Sequence, residues 1–277
     1  MMFITPYHRY SRGVRVLKKE LRTLGIKAPI IQGDNIAPSR TLPTLIVNWG
    51  KSKAPTIVGR NVVTINSNQV IQPMLNKRSF FERVGHGNEV PTWTTDPGVA
   101  RMWQKTTVAR TILTGHSGDG IILYDPSDVT QSLPEAPLYT MYTPKTHEYR
   151  VHVGRSLTTP VYSVLMSQRK IFKKDIIAGK DAPTNWKIRN VANGFIYART
   201  TEEEPLPGLV AHLALTFMLK YFRDIHFCAL DILYHEKKKM AVVLEGNTAP
   251  GLTDLSAPVY ARYLQGLHTE LYRTTTR

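Results

Sequence analysis

Residues 229–253 read ALDILYHEKKKMAVVLEGNTAPGLT, two runs of strand-forming residues around the polar turn HEKKK. Such a pattern predicts an antiparallel hairpin. Alternation puts Ala229, Asp231 and Leu233 on one face of the first strand, and Ala241, Val243, Glu245 and Asn247 on one face of the second. A turn centred on Lys238 sets Asp231 across from Glu245, with Asn247 two residues further along. Two carboxylates side by side on an otherwise apolar pair of strands repel each other unless a cation joins them. Magnesium suits such a set, because it takes hard oxygen ligands, usually one or two carboxylates plus the phosphates of a nucleotide. By itself the pattern also describes an exposed hairpin with solvated acids.

The residues that follow narrow the choice. Glu245-Gly-Asn247-Thr248-Ala-Pro250-Gly251-Leu-Thr253 resembles the E-x-N-T-x-P-G-[ML]-T signature of D-alanine:D-alanine ligases and their relatives in the ATP-grasp superfamily. The resemblance implies an α+β ATP-grasp fold, ATP and Mg2+ as cofactors, and Asp231, Glu245 and Asn247 as metal ligands. It also places Gly251, Thr253 and Ser256 at the substrate pocket. One position departs from the pattern: the Arg that precedes the first metal acid by two residues in those ligases is Ala229 here, which argues against a D-alanine substrate.

Upstream, TPKTHEYRVHV alternates so that Glu148, Arg150 and His152 leave one side of a strand and Tyr149, Val151 and Val153 the other. It resembles the nucleotide-binding strand of the superfamily, which implies Glu148 on the ribose hydroxyls and Met141, Tyr142 and Thr143 against the base. Arg150 is a candidate for phosphate or a substrate carboxylate, since its planar fork binds either in bidentate fashion. The run Gly115-His116-Ser117-Gly118-Asp-Gly120 lies between TTVARTI and IILY, the pattern of a hairpin with a glycine loop. Glycines let backbone N–H groups surround anionic oxygens, although a plain turn has the same composition. With Arg110 before it, the run resembles the phosphate-covering loop of ATP-grasp enzymes. Lys77 resembles their early phosphate lysine. Lys187, Arg189 and Asn190, followed by Gly194, resemble the segment with which the ribosomal-protein glutamate ligase type brings Arg and Asn to the reacting phosphate.

Other catalytic readings fail on indispensable residues. The glycine run carries Ile121-Ile122 where a Walker A loop needs Lys-Ser/Thr, and Val151 stands where a zinc protease helix needs its second His. Asp119 occupies the second glycine position of a nucleophile elbow. The single cysteine, Cys228, permits no internal disulfide and has no neighbouring Cys or His at metal-ligand spacing, so packing is its expected role.

A chain of 277 residues, 42% hydrophobic, can bury a full core. The spacing of Val14, Leu17, Leu21 and Leu24 after Ser11 predicts a capped helix that Gly25 ends. Short apolar runs at 45–47, 57–58 and 62–65 predict strands of a small α/β lobe. The expected division is 1–72 for that lobe, 73–140 for a central lobe with the glycine loop, and 141–277 for a C-terminal lobe with the metal site. A further helix is expected over about 208–222, buried through Val210, Leu213, Phe217 and Tyr221. Neither a membrane-spanning run nor a signal-peptide pattern is visible, which predicts a cytoplasmic protein. The formal charge of +15, from 36 Lys and Arg against 21 Asp and Glu, fits an anionic partner. RNA, DNA, an acidic peptide and the nucleotide itself all satisfy it.

The expected activity is ligation: a carboxylate activated by ATP as an acyl phosphate and joined to an amine or similar nucleophile. Ser11 and Arg12, at the start of the first helix, are candidate acceptor contacts. A non-catalytic nucleotide- or nucleic-acid-binding protein on the same scaffold is the alternative.

Overall fold

The computed structural model describes residues 1–8, 10–31, 41–53, 59, 61–114, 119–173 and 185–275. Among these residues, three separate sheets with helices packed beside them make an α+β architecture.

The N-terminal sheet is parallel, with β1 (Met2–Pro6), β2 (Thr44–Trp49) and β3 (Val62–Ile65) in that order. Between β1 and β2 runs α1 (Arg12–Thr23), where the Ser11 hydroxyl accepts the Val14 N–H at 3.4 Å. That bond satisfies one donor of the first turn. Val14, Leu17 and Leu21 are buried, Leu24 is half-buried at the C-cap, and Gly25 leaves the helix at φ 77°, a left-handed angle that favours glycine. The 57–58 run lies outside the described residues. The C-terminal helix, labelled α6 (Ala257–Thr275) once the intervening helices are counted, returns to this lobe. Its Tyr260, Leu264, Leu267 and Leu271 share one core with Leu17, Leu21, Leu45 and Val47.

After α2 (Asn68–Ile71), the central part comprises α3 (Lys77–Val84), β4 (Trp93–Thr94), α4 (Pro97–Met102), β5 (Thr107–Arg110), β6 (Ile121–Tyr124) and β7 (Leu138–Met141). Its antiparallel sheet has the order β4-β7-β5-β6. The expected hairpin is β5 with β6, in which Arg110 pairs with Ile121. Gly120 closes it at φ 69°, and a Cβ there would lie 2.7 Å from Ile112. Gly115, His116, Ser117 and Gly118 lie outside the described residues.

The third sheet is antiparallel, in the order β10-β9-β8-β11-β12. Its strands are β8 (His147–Arg155), β9 (Tyr162–Phe172), β10 (Phe195–Arg199), β11 (Phe227–His235) and β12 (Met240–Asn247). One face is apolar: Tyr149, Val151, Val153, Leu230 and Ile232 pack with Phe80 and Phe81 of α3 and with Val210 and Phe217 of α5 (Gly208–Tyr221). Cys228 is buried in this core, as expected of a packing residue.

The hairpin register corrects one expectation. Asp231 pairs with Glu245 and Ala229 with Asn247, but Ile232 pairs with Val243, so a bulge at Leu244 interrupts the alternation of β12. Directly opposed residues share a face. Ala241 and Val243 therefore join the apolar face beside Tyr234 and Ile232, while Glu245 and Asn247 point to the other side with Asp231. The extra residue re-aims the strand just before the signature segment.

Candidate active site

The second face of this sheet is polar, and its registers line up the chemistry. Gln168, Arg150, Asp231 and Glu245 form one row across β9, β8, β11 and β12. His152, Ala229 and Asn247 form the next, and Tyr197 of β10 pairs with Lys170 of β9 beside them. Alternation alone accounts for the exit of Glu148, Arg150 and His152 on one side.

Asp231 is buried at 4% exposure and already engaged. Arg150 donates to it through Nε at 2.7 Å and Nη2 at 2.8 Å, and the Tyr197 hydroxyl donates at 3.0 Å. Burial pulls the Asp231 carboxyl upward, but the Arg150 guanidinium and these bonds outweigh it and hold the pKa down at about 2. Arg150 shows the reciprocal balance: burial opposes its charge, but Asp231 favours it and holds the guanidinium well above its ordinary pKa. The Tyr197 ring lies 4.2 Å from the Arg150 guanidinium carbon and 4.9 Å from the Lys170 ammonium. In the second row, His152 is fully buried between Gln168 Oε1 at 3.0 Å and the Tyr260 hydroxyl at 2.9 Å. Burial lowers its pKa to about 4, so the imidazole is neutral.

Glu148 is 3% exposed and gathers two cations, Lys170 in a short ion pair and Lys145 at 3.6 Å. Around it stand Tyr142, whose ring lies 5.7 Å from both Lys145 and Lys187, and Arg189, which donates to the Thr146 carbonyl at 3.0 Å. Met141 ends β7, and Met141, Tyr142 and Thr143 are half-buried on the connection into β8. Lys187 lies 4.0 Å from Asp125, and Asn190 caps a short 3-10 turn by accepting the Asn193 N–H at 3.0 Å. Lys77, at the first turn of α3, meets Glu245 at 3.4 Å. Arg110 is 4% exposed, its charge opposed by burial and supported by Glu245 and Glu148. The Nε atoms of Arg110 and Arg189 are buried without a hydrogen-bond partner, and such a donor costs free energy until an acceptor arrives. An anionic ligand would supply that acceptor.

The metal set is divided. Among the described residues no group of three His, Cys, Asp or Glu is arranged to hold an ion. Glu245 is 30% exposed with one long ion pair, and Asn247 Oδ1 accepts the Ala249 N–H at 2.9 Å, whereas both Asp231 oxygens are occupied by Arg150. Glu245 and Asn247 suit a magnesium ion that arrives with nucleotide phosphates and needs few protein ligands. Asp231 instead accepts two bonds from Arg150 and one from Tyr197.

The signature segment meets the carboxyl ends of β1 and β2. A Cβ on Gly50, at φ 71°, would lie 2.5 Å from the Ala249 Cβ, and one on Gly13 would lie 2.9 Å from the Leu252 nitrogen. This brings Arg12, exposed at the start of α1, next to exposed Gly251 and Thr253. Ser11 is spent on the helix cap, and Ser256 is buried, accepting the Thr253 N–H at 2.8 Å.

No protein-family model and no curated protein sequence matches this chain. Solved structures do. The ATP-grasp ligase PsnB complexed with a minimal precursor, Mg and ADP superposes with a TM-score of 0.64 at 10% identity, over 96% of this chain and 96% of that one. A RimK domain ATP-grasp protein from Sphaerobacter thermophilus gives 0.58 at 13% identity, over 96% and 100%. The chain has the ATP-grasp fold. D-alanyl-alanine synthetase A from Vibrio cholerae gives a TM-score of 0.59 at 10% identity over 98% of each chain. Among the described residues no helix is long and apolar enough to cross a membrane.

Sequence reasoning missed Lys145, Lys170, Tyr197, Gln168 and Tyr260. The strand alternation carried a signal for Lys170, which shares a side of β9 with Gln168. Tyr260 had none, because helical spacing makes it an ordinary core residue until His152 is placed beside it.

Proposed function

We propose that this ATP-grasp protein is an ATP-dependent ligase that joins a carboxylate to an amine. The observation that carries the reading is that buried Arg110 and half-buried Arg189 each have a buried, unpartnered Nε, that both lie within the field of Glu148, and that Arg110 lies within that of Glu245 as well. Two partly or fully desolvated cations with unused donors, sharing Glu148 as a charged neighbour, make a cradle for phosphates.

In this reading ATP lies between the central sheet and the polar face of the five-stranded sheet. Glu148 accepts the ribose hydroxyls while Lys145 and Lys170 hold it in place, and Met141, Tyr142 and Thr143 flank the base. Lys77, Arg110, Lys187 and Arg189 offset phosphate charge. Glu245 and Asn247 would hold magnesium, which supplies charge neutralisation at the transferring phosphoryl group. A substrate carboxylate oxygen attacks the γ-phosphorus and ADP leaves. The amine nitrogen then attacks the acyl carbon, phosphate departs with the C–O electron pair, and the nitrogen loses a proton. Arg150, fixed on Asp231, takes the place of the Arg absent at Ala229 in steadying the oxyanion. Asn190 orders the segment that carries Arg189.

An acidic peptide is the acceptor class we favour. The solvent face of α1 carries Arg12, Arg15, Lys18, Lys19 and Arg22, a basic stripe that begins against the signature segment. PsnB, one of the structural neighbours, is complexed with a precursor peptide in one of its structures. The test is ADP release with pools of carboxylates and peptides, with hydroxylamine present to trap an acyl phosphate as its hydroxamate. ATP binding without turnover on any pool would favour a non-catalytic nucleotide-binding role. Peptide binding that does not weaken as salt rises would separate the basic stripe from acceptor capture.

A further inference from the structure

Tyr197 belongs to none of the signature segments, yet it touches both charged clusters of the polar face. Its hydroxyl donates to Asp231 Oδ2 at 3.0 Å, its ring lies 4.2 Å from the Arg150 guanidinium carbon, and the same ring lies 4.9 Å from Lys170, the partner of Glu148. Arg150 directs Nε and Nη2 to Asp231, so the ring and the carboxylate together fix the plane of the guanidinium. A cation over an aromatic face is attracted by the ring's charge distribution, and more strongly where water is scarce.

The sheet explains why one residue does both. Tyr197 stands opposite Lys170, and Gln168, the next residue on that side of β9, stands opposite Arg150. Tyr197 therefore reaches Arg150 across the diagonal, over the strand between them. A long aromatic side chain covers that distance. Phenylalanine would place the ring but leave Asp231 Oδ2 one donor short, and an aliphatic residue would leave the guanidinium without its stacking surface.

We propose that Tyr197 is a positioning residue: it sets the orientation of Arg150 through its ring and through Asp231, so that the free edge of the guanidinium meets the reacting oxyanion. This rests on the ligase reading for its catalytic consequence, but not for its structural one. The test uses Tyr197→Phe and Tyr197→Leu with three readouts. Exchange of the Arg150 Nε–H, followed by arginine-selective NMR on the full chain, should quicken roughly tenfold in Tyr197→Phe and further in Tyr197→Leu. ATP affinity by calorimetry should stay within about threefold of the starting protein in both, because Glu148 keeps Lys145 and Lys170. Turnover should fall in kcat rather than KM for ATP, by about ten- to a hundredfold in Tyr197→Phe and more in Tyr197→Leu. Unchanged Arg150 exchange in Tyr197→Leu would overturn the positioning role. So would equal loss of ATP affinity and turnover, which marks a general packing defect. If the starting protein turns over no substrate, the ligase reading falls, and the exchange measurement still decides the role of Tyr197.

Discussion

Replacing Asp231 with Asn tests the division between anchor and metal ligand. Asp231 is 4% exposed and takes two bonds from Arg150 and one from Tyr197. Breaking a buried ion pair by removing one partner costs about 3–5 kcal/mol, since the remaining charge stays buried. Asn retains one acceptor oxygen, so the lower end, about 3 kcal/mol, is expected for Asp231→Asn. That is a large part of a typical stability of roughly 5–15 kcal/mol. The charge itself provides a second check. A carboxyl held at about 2 in the folded chain, against an ordinary 3.8, gives stability that is full above the unfolded value and lost as pH falls towards the folded one. Between pH 5 and pH 3 the starting protein should lose about 1 kcal/mol from this source that the Asn variant cannot lose. Urea unfolding at several pH values measures both effects. The variant should unfold at lower urea at pH 7, and the gap between the two proteins should narrow on acidification. Replacing both partners, as Asp231→Leu with Arg150→Met, should recover much of the loss because no buried charge is stranded. An Asp231→Asn midpoint equal to that of the starting protein, with a gap independent of pH, would refute the anchor argument and return Asp231 to the open metal set.

Four further outcomes are expected. Glu245→Gln should fold normally, since the half-exposed Lys77 pair contributes at most about 1 kcal/mol, while ADP release falls by orders of magnitude; unchanged turnover would remove Glu245 from the site. Glu148→Ala should weaken ATP binding in calorimetry and also lower the melting temperature, because Lys145 and Lys170 lose their shared partner; full ATP affinity would contradict its place at the ribose. His152, neutral with a folded pKa of about 4 against 6.5 unfolded, makes the chain lose stability as pH falls from 6.5 towards 4, and thermal melts of His152→Gln should show a shallower loss over that window. Gly50→Ala should cost more than about 1 kcal/mol, from the left-handed φ and the contact with Ala249, and its damage should reach catalysis through the signature segment; a variant with unaltered melting and turnover would show that this contact yields freely.

The local elements and the paired acids follow from the residue pattern alone. Ser11, the spacing of Val14, Leu17 and Leu21, and Gly25 specify α1, because a cap, a helical stripe and a left-handed exit are local requirements. The alternation of residues 147–153 sorts Glu148, Arg150 and His152 from the core, and the two runs around HEKKK set Asp231 against Glu245. The bulge at Leu244 was illegible, since the core decides which face of β12 is buried and the pattern alone allows an unbroken strand. Long-range packing is what closes α6 back on α1, gives both oxygens of Asp231 to Arg150, and lets Tyr197 join the two charged clusters. These are contacts between side chains far apart in the chain, and a carboxylate's partner is fixed by the strand that lies beside it, not by its neighbours in sequence.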